Sequence, residues 1–477
     1  MTPYVPPAGS IPTLPVPSLD GVTSVHLIGV GGAGMRNLAR LFLARGIAVT
    51  GSDLKDSKGL VELRGLGADV WVGHDPARIG TPSAVVISSA IGPANVELAA
   101  AREVGLPVWA RQQALAAFAA GHRAIAVAGT HGKTTTTSMI AVILEHAGAD
   151  PNYLIGDDLN ESGSGARSGS GDSFVFEADE SDGSFLLARP AIGVVTNVEV
   201  DHVDFYPGGR TEIESAFTAF ADRCGLVVAC GDDPGTRRSL AGSRTPTITY
   251  GVGEDVDASV TVRGLGPGGA YGVLRQPGAA DVDVSLDLPI DGAHNLLNAA
   301  AAVLVAAQLG VRPEVAAEAL GAFTGVHRRF EFRGRARGAD FYDDYGHTPT
   351  EMAVTLATAR RRRPGRLIAL VQPHRYSRVQ ALWRELGASV AEADVILVTD
   401  VYGAAQEPIP GVTGQLVVDG VLEAVPDAEV VYVPHRQELL DHLDREVRPG
   451  DLIVTMGCGD VWMLGDAALE RLREVEA

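Results

Sequence analysis

Lysine is scarce in this 477-residue chain, so the lysine in Gly129-Thr-His-Gly-Lys-Thr134 is the first place to look for chemistry. Its only companions are Lys55 and Lys58, while the other 36 basic residues are arginines. A compact ammonium serves phosphate oxygens in a way the planar guanidinium does not. The hexapeptide follows an apolar run, Ala124–Ala128, and leads into a segment from Thr135 to His146 with Ile140, Ile143 and Leu144 on one helical side. Strand, glycine turn and helix aim backbone N–H groups at an anion near the positive helix end. Lys133 can then reach the β- and γ-phosphates of a nucleotide, and the Thr134 hydroxyl can ligate Mg²⁺. The longer P-loop pattern requires a further glycine where Val127 stands, so the loop is a shortened version.

Carboxylates follow where a nucleotide-bound cation needs them. The strand-like run Ser173–Ala178 carries Glu177 at its end and leads to Asp179, Glu180 and Asp182. A second run, Ile192–Thr196, leads to Asn197, Glu199, Asp201, His202 and Asp204. Ligands gather at the carboxyl ends of parallel strands, and hard oxygens with an occasional imidazole suit Mg²⁺ or Mn²⁺. An acidic loop by itself is a solvated surface, and a hydrogen-bonded structural histidine is the alternative reading of His202.

These groups need a frame. Upstream, Val25–Val30 runs into Gly29-Val-Gly-Gly-Ala-Gly34, and Met35, Leu38, Ala39 and Phe42 then repeat at helical spacing. Asp53 follows 19 residues after Gly34, beyond the strand-like Ile47–Gly51. The context is that of a doubly wound sheet with a phosphate at its first turn, though the turn alone does not name the nucleotide. Between Asp255 and Leu288, short alternating runs separated by Gly-Pro and Pro-Gly predict a β-meander with its aspartates in water. Beyond Arg328, strand-like runs at 340–343, 367–371, 395–399, 430–433 and 452–456 alternate with helical segments, a second doubly wound pattern. Polar clusters follow these strands, including Asp343-Asp-Tyr-Gly-His347 and Gln372-Pro-His-Arg-Tyr-Ser-Arg378. On a helical turn, Arg375 and Arg378 would offer two guanidinium forks to one anion. Arg360–Arg363 ends a helix before Pro364, where positive charge suits the carbonyl end.

Composition sets the outer bounds. A length of 477 residues fits roughly three domains, and 46 % hydrophobic residues suffice for their cores. The formal net charge of −20 argues against a nucleic-acid binder. The nine-residue run Ala299–Ala307 is far below membrane-spanning length, so no insertion is expected. Three cysteines without C-x-x-C spacing give neither a disulfide framework nor a metal cluster, and a reducing cytoplasm fits. Six prolines within the first 17 residues predict a disordered tail.

Eight motifs occur in order: Gly29–Met35, Gly129–Thr137, Glu177–Asp182, Thr196–His202, His294–Asn298, Asp343–His347, Gln372–Tyr376 and Thr399–Tyr402. Together they resemble the Mur ligase family. The resemblance implies an α/β chain of three domains after a 1–19 tail: a Rossmann-like UDP-sugar domain (20–118), a central P-loop-type ATPase with an added β-meander (119–327), and a Rossmann-like closing domain that brings the amino acid (328–477). It implies an ATP-dependent ligase joining L-alanine to UDP-N-acetylmuramate through an acyl phosphate in peptidoglycan precursor synthesis; the sequence leaves monomer and homodimer both open. A ligase that recycles murein peptides, or adds another amino acid to a UDP-muramyl acceptor, would carry similar motifs. A noncatalytic UDP-sugar sensor would not need Lys133, Thr134, Glu177 and His202 together.

Carried over by motif, ATP falls to Gly129, Thr130, His131, Gly132, Lys133, Thr134, Thr135, His294, Asn295 and Asn298, and the metal to Thr134, Glu177 and His202. The UDP-sugar falls to Gly29, Gly31, Gly32, Gly34, Asp53, His74 and Ser89. The amino acid and γ-phosphate side falls to Tyr345, His347, His374, Arg375 and Arg378, with Lys133, His202, Glu177 and Arg375 carrying the chemistry. Three positions depart from the family pattern: Thr348 stands where a second histidine is usual, Gln406 where a glutamate is, and Gln113 where an acid is.

Overall fold

The computed structural model describes residues 14–88, 90–156, 158–160, 163–202, 205–278, 282–404 and 406–476. Their strands form three sheets, one after another along the chain. The first holds β1 (Ser24–Ile28), β2 (Ala48–Asp53), β3 (Asp69–Val72), β4 (Ala84–Ile87) and β5 (Val108–Ala110) in the order β3-β2-β1-β4-β5. All its pairings are parallel. The helix Ala33–Ala44 buries Met35, Leu38, Ala39 and Phe42, the residues spaced for one face. Strand order reverses at β1, so the turn Gly29–Gly34 leaves the sheet at a switch point, where a crevice opens.

The second sheet repeats this logic on a larger scale. It comprises β6 (Arg123–Ala128), β7 (Asn152–Leu154), β8 (Ala166–Arg167), β9 (Ser173–Glu177), β10 (Ile192–Val195), β11 (Leu226–Cys230), β12 (Thr247–Gly251), β13 (Ala258–Gly266), β14 (Gly269–Gln276) and β15 (Val282–Leu288). The order is β15-β14-β13-β12-β11-β10-β6-β9-β7-β8, with β6 between β10 and β9. Val127 pairs with Glu177 and Ala128 with Val195. The lysine loop therefore emerges between the ends of the two strands whose loops carry the acids. β13–β15 form the expected meander, and β15 buries Val282, Val284, Leu286 and Leu288 while Asp283 and Asp287 face water. The alanine-rich helix Ala293–Gln308 is core, packed against the helix Lys133–His146. Among the described residues, no helix is long and apolar enough to cross a membrane.

The third sheet contains β16 (Glu331–Ala336), β17 (Ala339–Asp344), β18 (Leu367–Val371), β19 (Val395–Val398), β20 (Val430–Tyr432) and β21 (Leu452–Met456), ordered β16-β17-β21-β18-β19-β20. Only β16 runs antiparallel. On one face, the helices Tyr376–Val390 and Gln415–Ala424 touch backbone to backbone. A Cβ on Gly387 would overlap the backbone of Gly420 and Val421, and one on Gly420 would lie 2.5 Å from the carbonyl oxygen of Trp383. Gly387→Ala is therefore expected to cost about 1–3 kcal/mol by overpacking. A thermal melt should show this as a fall of roughly 2–4 °C per kcal/mol in the domain's midpoint. An unchanged melt would contradict the close packing.

The first and second sheets are tied by Asn37, whose amide donates to the carbonyl of Ile155 at 2.9 Å, and by Arg36 and Arg40 on Asp158. Gln113 accepts from the backbone N–H of Ala110 and donates to the carbonyl of Pro15, a bond that an acid there could not make. Residues 1–13 of the expected tail lie outside the described residues.

Candidate active site

The loop after β6 is held from below by the end of β10. Thr130 donates its N–H to the carbonyl of Asn197, His131 donates its N–H to the Asn197 amide oxygen, and the Thr196 hydroxyl donates to the carbonyl of His131. Gly129 and Gly132 have φ values of +136° and +78°. A Cβ on Gly132 would lie 2.8 Å from the Asn298 amide oxygen, and one on Gly129 would collide with the Thr196 hydroxyl below, so a side chain at either position would strain the loop. Gly132 caps the helix that begins at Lys133.

Lys133 Nζ donates to the carbonyl of Gly129 at 2.5 Å and to both oxygens of Glu180, at 2.9 and 3.1 Å. Burial opposes its charge, but Glu180 and Asp179 outweigh burial and raise its pKa. Glu177 is held by the backbone N–H of Gly156 at 2.6 Å. Burial raises its pKa despite Lys133, so a cation beside it would be welcome. His202 has φ +51°, its Nε2 lies 3.5 Å from Asp201, and its buried Nδ1 has no partner among the described residues. A half-buried carboxylate and an unpaired imidazole nitrogen beside a phosphate-type loop fit a hard divalent cation. Asp204 lies outside the described residues.

The third sheet closes over this loop through charged contacts between residues far apart in sequence. His131 is the pivot: Nε2 meets Glu199 at 3.1 Å and Nδ1 meets Glu351 at 3.3 Å. Burial disfavours the imidazolium, yet the two carboxylates hold its pKa at about 9, so it is charged at neutral pH. Thr350 donates to Glu199, and Arg329 stands 3.8 Å from Glu351. Arg378 grips Asp201 with Nη2 at 3.0 Å from both oxygens, buried. Burial works against the Asp201 carboxylate, but His202 and Arg378 carry its pKa well below the usual range. Arg361 meets the buried Asp291 at 3.1 Å.

A cleft of about 760 Å³ lies between the second and third sheets. His131, Gly132 and Thr135 line one end, His294, Asn295 and Asn298 one wall, and Arg329, Phe330, Tyr342 and Arg362 the other. Burial and the nearby Arg361 lower the pKa of His294 to about 4, leaving it neutral. Arg362 lies over the rings of Phe330 and Tyr342. The basic run Arg360–Arg363 therefore does more than end a helix, because two of its members build the cleft wall and the closure.

At the far side, the rings of Tyr345 and His347 are 5.7 Å apart, those of His347 and His374 5.3 Å, and those of His374 and Tyr402 6.0 Å. Burial lowers the pKa of His347 to about 4 and of His374 to about 2. The expected pair of guanidinium forks on one helical turn does not form. Arg375 and Arg378 do not share a helical turn, because the helix begins at Tyr376 and Arg375 precedes it at φ +64°. Arg378 is committed to Asp201 instead.

Two of the departing residues have local structural duties. Thr348 caps the helix Pro349–Arg361 in a reciprocal box with Glu351, and Gln406 accepts from the N–H of Ser377 and donates to its hydroxyl. In the first sheet's crevice, Asp53 accepts from the N–H of Gly31 at 2.9 Å. His74 Nδ1 meets the Ser52 hydroxyl at 2.8 Å, and Ser52 also donates to buried Glu97. Ser89 lies outside the described residues. The structure thus gathers the lysine loop, both acidic loops and the closing histidines; it gives Glu180, Glu199 and Asp201 their partners and adds Arg329 and Glu351, pairings too distant in sequence for spacing to reveal.

Three family models match in succession: "Mur ligase family, catalytic domain" over residues 24–123, "Mur ligase middle domain" over 127–306, and "Mur ligase, glutamate ligase domain" over 328–459. A UDP-N-acetylmuramate–L-alanine ligase of Thermobifida fusca is 44 % identical over 474 residues, covering 97 % of this chain and 99 % of that protein. The enzyme so named from Saccharopolyspora erythraea is 45 % identical, covering 96 % of each. Among solved structures, the UDP-N-acetylmuramate-alanine ligase MurC of Thermotoga maritima superposes with a TM-score of 0.81 at 27 % identity, over 95 % of this chain and 99 % of that one. A murein peptide ligase of Psychrobacter arcticus gives 0.73 at 26 %, over 94 % and 98 %. With the lysine loop, the two acidic loops and the closing third sheet all in place, these matches over the whole length make the chain a member of the Mur ligase family.

Proposed function

We propose that this chain joins L-alanine to the lactyl carboxylate of UDP-N-acetylmuramate with ATP, giving ADP, phosphate and UDP-N-acetylmuramoyl-L-alanine in peptidoglycan precursor synthesis. The observation that carries the proposal is the 44 % identity over nearly all of both chains to a ligase of that name. Residues 20–118 take the UDP-sugar, 119–327 the ATP, and 328–477 the amino acid. The Gly29–Gly34 turn, Asp53 and His74 serve the first, and the loop Gly129–Thr135 with His294, Asn295 and Asn298 the second.

A carboxylate is a poor acyl donor, so the reaction needs an acyl phosphate, and its barrier falls mainly by positioning and by neutralising oxygens that gain charge. Lys133 and Arg375 supply positive charge from the chain. Thr134, Glu177 and His202 are suited to hold Mg²⁺ or Mn²⁺, which when bound neutralises phosphate oxygens. Glu180 keeps Lys133 charged and aimed into the loop. His131, Arg378 and Arg361 draw the third domain down, excluding water from the reactive intermediate. Tyr345, His347 and His374 serve the incoming amine. The free thiols of Cys224, Cys230 and Cys458 accord with a cytoplasmic setting.

The likeness to a murein peptide ligase supports a second reading, in which the incoming amine belongs to a peptide. Phosphate release measured with ATP, Mg²⁺ and UDP-N-acetylmuramate against L-alanine, L-serine, glycine and L-alanyl-γ-D-glutamyl-meso-diaminopimelate separates the two. Turnover is expected with L-alanine and absent without the UDP-sugar. Exclusive use of the tripeptide would replace the first reading with the second.

A further inference from the structure

Three neighbouring strands of the third sheet end in line. Asp344 of β17 pairs with Met456 of β21, which pairs in turn with Val371 of β18. Three residues past β17 stands His347, two past β21 stands Cys458, and three past β18 stands His374. One ligand atom from each lies within 4.8 Å of the other two. Parallel register, with no help from sequence proximity, brings two imidazoles and a thiol to one point on the carboxyl edge of the sheet.

We propose that His347, His374 and Cys458 form a binding site for a thiophilic divalent cation of the Zn²⁺ class, separate from the hard-cation site at Glu177 and His202, and that its occupancy excludes the amino acid substrate. Two imidazoles and a thiolate make a ligand set that favours Zn²⁺ over Mg²⁺. Three protein ligands leave a fourth tetrahedral position open, as in sites that exchange a ligand.

The surroundings hold these groups in place. His347 Nδ1 lies 3.1 Å from the carbonyl of Tyr345 and 3.4 Å from Glu351, the outer contacts that orient a metal-binding histidine and leave its Nε2 available. The Cys458 loop is pinned by the Gly457 N–H on the carbonyl of Asp344 and by the Val461 N–H on the side chain of Gln372. The His374 backbone bridges Tyr402. Arg378 donates to His374 Nδ1 at 3.0 Å, which places the ring proton on Nε2. When the ring offers that nitrogen to a cation, the proton shifts to Nδ1, so the bond from Arg378 to the ring is given up and Arg378 turns to the His374 carbonyl and Asp201. The positive charge of Arg378 is already answered by Asp201. Binding exchanges the S–H bond of Cys458 for a sulfur–metal bond, and the proton leaves to solvent.

The test uses Co²⁺ as a spectroscopic probe on the full chain without nucleotide or substrate. Wild type is expected to develop a thiolate-to-cobalt charge-transfer band saturating at one equivalent and bleached by Zn²⁺. Cys458→Ala and Cys458→Ser should lose it while melting like wild type. Absence of the band, or its persistence in both variants, would overturn the site. The exclusion of substrate rests on the ligase reading and has its own readout. Under saturating Mg²⁺, Zn²⁺ should raise the apparent KM for L-alanine, and Cys458→Ala should keep the uninhibited rate while needing at least about tenfold more Zn²⁺. A Co²⁺ band without any change in KM would overturn the exclusion. A chain that releases no phosphate at all would refute the ligase reading and leave the band to report on the metal site alone.

Discussion

Lys133→Ala is expected to slow phosphate release by about a thousandfold or more, with affinity for UDP-N-acetylmuramate kept within about twofold. The rate falls because this ammonium is a fixed cation placed beside the glycine loop, where the transferred phosphoryl group gains charge. Affinity for the sugar nucleotide persists because its turn, Gly29–Gly34, leaves a different sheet. Lys133→Arg should rescue little, since a planar fork cannot take the place of a compact ammonium bonded to the Gly129 carbonyl and Glu180. Removing Lys133 also strands Glu180, which is only 1 % exposed, at a cost of about 3–5 kcal/mol if the carboxylate stays charged. The double variant Lys133→Ala/Glu180→Gln separates the two effects, because it should recover thermal stability without recovering turnover. Phosphate release and calorimetric titration with the UDP-sugar provide the measurements. Equal loss of rate and sugar binding would show that the domain roles are wrongly assigned.

Arg378→Ala should lower kcat/KM for L-alanine by about two to three and a half orders of magnitude. Breaking a buried ion pair from one side costs about 3–5 kcal/mol, and each factor of ten is about 1.4 kcal/mol. Here the pair joins the loop after β10 to the third domain, so the cost falls on closure. Three contacts go at once: the fork on Asp201, the donor to His374 Nδ1, and the adjacent support of His202. Arg378→Lys keeps the charge but only one point of contact, and partial recovery is expected. In small-angle scattering with nucleotide bound, Arg378→Ala should give a larger radius of gyration than wild type. A compact variant with the same kinetic loss would place Arg378 on the substrate and take it out of the closure. Asp201→Asn combined with Arg378→Met tests the coupling, since the double variant should lose less than the sum of its parts.

How much was legible beforehand depends on how far apart the cooperating residues lie. The glycine turns, the lysine loop and the acids after β9 and β10 are each contained in a dozen residues, and alternation or helical spacing marks the elements around them. The strand ends at Glu177 and Val195 and the meander to Leu288 follow that reading within a residue or so. Short buried strands escaped it. Asn152–Leu154 is too brief to show a period, and Leu226–Cys230 and Thr247–Gly251, though bounded by glycine or proline, are too short for periodicity to separate strand from helix. The contacts that close the site were invisible for another reason. His131 and Glu351, Asp201 and Arg378, and Asp291 and Arg361 sit on separate sheets, and neither partner's neighbourhood announces the other.

By itself the sequence determined the chemistry available: a phosphate-binding loop with one irreplaceable lysine, hard ligands following two strands, and alternating α and β segments with enough apolar residues for three cores. It could do so because those signals are local, written in backbone conformation and in side-chain periods of two or 3.6 residues. Only the tertiary structure decided which groups meet. Placing β6 between β9 and β10 puts both acidic loops beside Lys133, and aligning β17, β21 and β18 brings His347, Cys458 and His374 to one point. Strand order and register follow from the packing of whole elements against one another, and no stretch of a few residues contains that information.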